Sequence, residues 1–84
     1  MKVLKFYADW CASCSILTSI IKNAEDKLPL KVENVNIDEN VFMATNFGVR
    51  SIPTLILVDD QEKEIKRQTG VLKEQQLIDW MSNK

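Results

Sequence analysis

Trp10-Cys11-Ala12-Ser13-Cys14 is the stretch from which the fold is read. It holds the only two cysteines of the chain, separated by two residues. Before it, Val3-Leu4-Lys5-Phe6-Tyr7-Ala8 is apolar at every position but one, which predicts a strand covered on both faces. Asp9-Trp10-Cys11 makes a turn. After it, Leu17, Ile20, Ile21, Ala24 and Leu28 recur at helical spacing with Ile16 beside them, while Ser15, Thr18, Ser19, Lys22, Asn23 and Asp26 form the opposite face. The helix is expected to start at the cysteine pair, with its apolar spacing running from Cys14 onward, and to end near Lys27, with Pro29 beyond it as a stop. A Cys-x-x-Cys where a strand hands over to a helix has a physical purpose. Unpaired backbone N–H groups and the helix dipole favour negative charge on the first sulfur. Such sites lower a thiol pKa from roughly 8.5 toward neutrality. The second cysteine, one turn on, falls within disulfide reach, so the pair can cycle between dithiol and disulfide.

Composition narrows the alternatives. The 84 residues are 45% hydrophobic, enough for one globular domain over 1–84. A net charge of -1 gives no electrostatic case for nucleic acid or an anionic membrane. No apolar run nears the roughly 20 residues that span a bilayer. The N-terminal run is shorter than the roughly 7–15 residues of a signal-peptide core, and no small-residue cleavage site follows it. The expected location is cytoplasmic, where a lone cysteine pair points to catalysis or metal binding rather than a structural staple. Histidine is absent. Structural zinc takes about four Cys or His ligands, so neither a metal nor another cofactor is expected.

The remaining segments complete an α/β pattern. Lys31 to Ile37 predicts a second strand, whose Lys31, Glu33, Asn34 and Asn36 suit a sheet edge. Asp38-Glu39-Asn40 offers caps for a short helix through Val41, Phe42, Ala44 and Phe47, and Gly48 stands at its C-terminal side. Thr54 to Val58 is a compact apolar strand. Asp59 to Glu62 is a turn, and Lys63 to Thr69 returns as a polar edge strand broken by Gly70. Lys73 to Ser82 predicts a last helix that buries Leu77, Ile78 and Met81 or Trp80, with Trp80 in the core; its start lacks a good capping side chain. The order β-α-β-α-β-β-α implies a four-stranded mixed sheet with helices on both faces. Pro53, in Ser51-Ile52-Pro53-Thr54, opens the third strand, where proline is tolerated. X-Pro is also the one common site of a cis peptide. In this topology Pro53 and the cysteine pair meet at one end of the sheet.

Four segments carry a family resemblance: Phe6 to Cys14, Asn36-Ile37-Asp38, Gly48 to Thr54, and Gly70. In order and near-spacing the chain resembles the thioredoxins, over essentially its whole length. It lacks the extra N-terminal strand and helix of larger members, which leaves the minimal thioredoxin-like fold shared with glutaredoxins. The resemblance implies that Cys11 is the nucleophile and Cys14 the resolving cysteine. It implies that Pro53 is the cis-proline and that Ile52 offers its backbone to an extended substrate. Trp10, Ile52, Pro53, Gly70 and Val71 would form an apolar rim around Cys11. The implied activity is reduction of protein disulfides by a monomer, with a flavoprotein thioredoxin reductase as electron donor. Two alternatives stand beside it: a glutathione-dependent, glutaredoxin-like reductase, and a non-catalytic binding module on the same fold. Trp10 before the pair, and the lack of a tyrosine inside it, count against glutathione.

The departures concern the modulating residues. Ala12-Ser13 replaces the family's Gly-Pro, which restores an N–H beside the cysteines. Ser19 stands at the family's kinking proline. Lys5 occupies the position of the family's buried acid, and Asn34 that of its lysine partner. Lys5 either carries its charge out to solvent or acts on Cys14.

Overall fold

The computed structural model describes residues 1–83. Among these, the elements are β1 (Lys2–Tyr7), α1 (Ala12–Ala24), β2 (Val32–Asn36), α2 (Val41–Asn46), β3 (Thr54–Val58), β4 (Glu64–Thr69) and α3 (Glu74–Ser82), in the order read from the sequence. The strands lie β2-β1-β3-β4. β1 and β2 pair in parallel; β1–β3 and β3–β4 pair antiparallel. The polar strands β2 and β4 therefore hold the two edges, where charge discourages pairing with other chains.

Because side chains alternate along a strand, β1 and β3 feed two cores. On one face Val3, Leu55 and Leu57 pack with Leu17 of α1 and with Leu77 and Met81 of α3. On the other, Leu4, Phe6, Ile56 and Val58 pack with Val35, and α2 closes over them through Met43, Ala44 and Phe47. The Phe6 and Phe47 rings meet at 5.8 Å, tilted by 59°. Arg67 ties β4 to the end of α2: its guanidinium grips both carboxylate oxygens of Glu64 and also donates to the Phe47 carbonyl at 2.6 Å. That bidentate grip holds the Glu64 carboxyl below its usual range.

α1 begins at Ala12 with Cys11 as its N-cap, the helix-start position expected of the first cysteine. Several local expectations need correction. The α-helical hydrogen bonding of α1 ends at Ala24, and a 3-10 turn, Glu25–Lys27, leads to Pro29. Val41 and Phe42 belong to α2 but face solvent, Phe42 with 83% of its surface exposed. A helix of six residues has one inward face, and Met43, Ala44 and Phe47 fill it. Trp80 is half-buried at the rim of the core, not inside it. Leu77 and Met81, four residues apart, hold the inward stripe of α3. The Trp80 ring instead receives the Lys66 ammonium at 4.9 Å. The weak start of α3 is repaired from within the helix, since Gln76 Oε1 accepts the Lys73 N–H at 3.0 Å. Gly48 adopts φ 65° just after α2, where a left-handed residue ends a helix.

Replacing Phe6 by Ala should cost about 3–5 kcal/mol, the usual range for an aromatic in a fully packed core. Phe42→Ala should change stability by less than about 0.5 kcal/mol. Urea unfolding of the two variants measures both.

Candidate active site

The site begins where β1 ends. The Cys11 N–H donates to the Ala8 carbonyl at 3.2 Å, which folds Asp9 and Trp10 into a turn. This sets Cys11 at the N-cap of α1 in an extended conformation, φ -95° and ψ 108°. Its Sγ accepts the Cys14 backbone N–H at 3.2 Å. A sulfur thus takes the place of the serine or aspartate oxygen that ordinarily satisfies a free N–H at a helix start. Ser13 Oγ lies 3.4 Å from the same sulfur, so the residue that replaces proline adds a polar neighbour. Cys11 and Cys14 are joined as a disulfide, their Cα atoms 5.2 Å apart. Both pack with Ala8, against Tyr7, Ile37 and Ile52. Cys11 keeps 8% of its surface exposed and Cys14 2%, so the first sulfur is the approachable one.

The Ile52–Pro53 peptide is cis. Ile52 packs against the cysteine cluster, and the Pro53 carbonyl accepts the Gly70 N–H at 2.8 Å. Gly70 has φ 92°, a conformation that suits glycine, and Val71 follows it at the surface. Trp10 is 71% exposed, yet its indole Nε1 donates to Asp38 Oδ2 at 3.0 Å. The loop after β2 therefore anchors the ring that flanks Cys11. This bond adds Asp38, from one of the segments that carry the resemblance, to the residues expected at the site.

Lys5 does not reach solvent. It is 2% exposed, and its ammonium donates to Thr18 Oγ1, while the Thr18 hydroxyl donates to the Cys14 carbonyl at 2.9 Å. The ammonium also lies 5.1 Å from the centre of the Tyr7 ring. Burial pushes the Lys5 pKa below that of a free lysine. Asn34 is the β2 neighbour of Lys5 in the parallel register. The sequence pattern puts Thr18 on the polar face of the helix, whereas its hydroxyl turns in to Lys5 and the Cys14 carbonyl. Its spacing of four from Cys14 was the available signal, since i and i+4 share a helix face. A cavity of about 350 Å³ opens beside Cys14 and is bounded by Tyr7, Asp9, Ser15 and Thr18. Among the described residues no three His, Cys, Asp or Glu side chains converge as a metal cluster, and no helix is long and apolar enough to cross a membrane.

A redox-competent cysteine pair at a helix start, set against a cis-proline loop on this sheet, defines a dithiol–disulfide oxidoreductase. The thioredoxin family profile matches residues 1–83. The chain is 40% identical over 83 residues to a thioredoxin of Chlamydia pneumoniae, covering 98% of this chain and 79% of that one. It is 36% identical over 83 residues to a thioredoxin of Rickettsia bellii, covering 96% and 78%. A solved mutant thioredoxin from Halobacterium salinarum superposes with a TM-score of 0.85 at 31% identity, over 95% of this chain and 70% of that one. The chain belongs to the thioredoxin family.

Two measurements follow from this geometry. In the reduced protein, limiting iodoacetamide should label Cys11 well before Cys14, as read by peptide mass spectrometry. The second concerns Lys5. A lysine whose folded-state pKa is depressed weakens the fold while the unfolded chain keeps the proton. That penalty is present at neutral pH and is relieved as pH rises toward the unfolded lysine value of about 10.4. Lys5→Met should therefore be more stable than wild type at pH 7, with the gap narrowing toward pH 10 in urea titrations.

Proposed function

We propose that the chain acts as one domain over 1–84 that reduces protein disulfides, with Cys11 as nucleophile and Cys14 as resolving cysteine. The observation that carries this is the Cys14 N–H aimed at Cys11 Sγ at the start of α1. The same N–H and the helix dipole would stabilise a thiolate on Cys11 after reduction. That thiolate attacks one sulfur of the substrate disulfide; a mixed disulfide forms and the other substrate sulfur leaves as a thiolate. Cys14 then attacks Cys11 Sγ, the mixed disulfide breaks, and the second substrate thiol departs. Two electrons have passed to the substrate, and the Cys11–Cys14 disulfide has formed. A flavoprotein thioredoxin reductase drawing on NADPH returns the pair to the dithiol.

Trp10, Ile52, Pro53, Gly70 and Val71 form the docking rim. Ile52 offers backbone groups to an extended substrate segment, and Gly70 leaves room for its main chain. Asp38 holds the Trp10 ring in place. The protein works as a cytoplasmic monomer. Lys5 modulates the second step: a protonated ammonium two hydrogen bonds from the Cys14 backbone favours the Cys14 thiolate. Stabilised thiolate means a stabilised reduced form and a more oxidising couple. Ala12 and Ser13 modulate the first step, through the Ser13 hydroxyl beside Cys11 Sγ.

Cys11→Ser should abolish insulin reduction, whereas Cys14→Ser should accumulate a mixed disulfide visible on a non-reducing gel. Normal turnover by Cys14→Ser, or trapping by Cys11→Ser, overturns the assignment. Turnover supported by glutathione but not by NADPH and thioredoxin reductase would move the protein to the glutaredoxin type. Lys5→Met should slow release of the mixed disulfide in single turnover and shift the reduction potential to a more negative value. An unchanged potential and rate would remove Lys5 from the mechanism.

A further inference from the structure

On the sheet face that carries α1, the β2 edge is left partly uncovered. There a groove of about 560 Å³ runs between α1, the turn around Pro29 and β2. Its volume falls within the roughly 300–1,000 Å³ of small-molecule sites. It is separate from the docking rim, and none of the rim residues lines it. Its charged lining consists of Lys5, Lys22 and Lys31 against a single acid, Glu25. Among the described residues, the ion pairs involve Lys2, Lys27, Arg67 and the N-terminus, and none neutralises these three lysines. Lys5 is the decisive member. It is buried at the groove, and its partners are a hydroxyl and an aromatic face, both uncharged. An ammonium held out of water with no anion beside it attracts one strongly. Thr18 and Asn34 add uncharged polar groups near Lys5, and Ile21, Leu28, Leu30 and Val32 make an apolar stretch of wall. Such walls offer nothing to a bare inorganic anion but would cover a hydrocarbon tail.

We propose that this groove binds a small monocarboxylate with an aliphatic tail. Its carboxylate pairs with the Lys5 ammonium, its tail lies along Ile21, Leu28, Leu30 and Val32, and Lys22 and Lys31 attract it at the mouth. The site stands independently of the roles given to the two cysteines, so it is tested on the oxidised protein. Octanoate is the probe; octanol supplies the tail without the charge, and acetate the charge without the tail. The readout is the amide NMR spectrum of 15N-labelled protein. Octanoate should give saturable shifts at Thr18, Ile21, Val32 and Asn34, at least about tenfold tighter than either control, as a charge-assisted bond on a buried group implies. Lys5→Met should bring octanoate down to the affinity of octanol. The double variant Lys22→Glu, Lys31→Glu alters only exposed side chains and should also weaken octanoate while leaving octanol unchanged. Octanoate shifts confined to the Trp10–Ile52 rim, no saturation at millimolar octanoate, equal binding of octanol, or full affinity in both variants would each overturn the proposal.

Discussion

The register of β1 is the constraint on which the rest of the site depends. β1 pairs with β2 on one side and β3 on the other, and its faces feed two different cores. A slip of one residue would exchange Leu4 and Phe6 with Val3, Lys5 and Tyr7 between those cores. The true register ends the strand at Tyr7, so the Ala8 carbonyl is free to accept the Cys11 N–H. That single bond fixes how far into the turn Cys11 falls, and hence that it, not a neighbour, caps α1. The chemistry is therefore located by strand pairing before any active-site contact is made. The cis Ile52–Pro53 loop reaches the same place by the same route, because β3 is the antiparallel partner of β1 and begins beside its end.

Lys5 shows how that frame tolerates an expensive residue. A charged amine taken from water is costly unless it is paired and hydrogen-bonded. Here the family's acid and lysine are both replaced, by Lys5 and Asn34, so no charged pair joins these two facing positions of β1 and β2. Thr18 supplies an oxygen from α1 and Tyr7 an electron-rich ring face from two residues along the strand. Both are weaker partners than a carboxylate. The residual cost is what depresses the lysine's pKa. A serine at position 19 is consistent with this arrangement, since a proline there would remove an N–H from the turn of α1 that carries Thr18.

The sequence made the main architecture legible where one physical signal dominated. A near-continuous apolar run marked β1 and β3, polar runs marked the edges, and the cysteine spacing marked the strand-to-helix turn. The trouble came where two elements had to be placed relative to each other. The crossing of α1 over β1 decides that Thr18 meets Lys5, and no local pattern reports a crossing. Trp80 reads as core because it is large and apolar, yet the Leu77–Met81 stripe fills the inward positions of α3. Cys11 is legible as the helix start from its place after the strand, but that its own sulfur supplies the cap is not. The Gln76 bond to the Lys73 N–H was hidden for a similar reason: the eye looks for the cap before the helix, not inside it.

Thr18 joins the two halves of the molecule's chemistry. It lines the cavity beside Cys14 and also the groove at the β2 edge, and its hydroxyl links the Lys5 ammonium to the Cys14 carbonyl. On the two proposals above, one positive charge would serve two anions, a thiolate on Cys14 and a ligand carboxylate in the groove. They would compete for it, and linkage would make the competition reciprocal. A carboxylate on Lys5 would weaken the support for the thiolate, and reduction of the pair to a thiolate would weaken the hold on the carboxylate. The disulfide form carries no charge on Cys14, so it would be the form that binds the ligand more tightly. An acid in place of Lys5 could not couple a ligand carboxylate to the redox pair in this way, because it would repel that ligand.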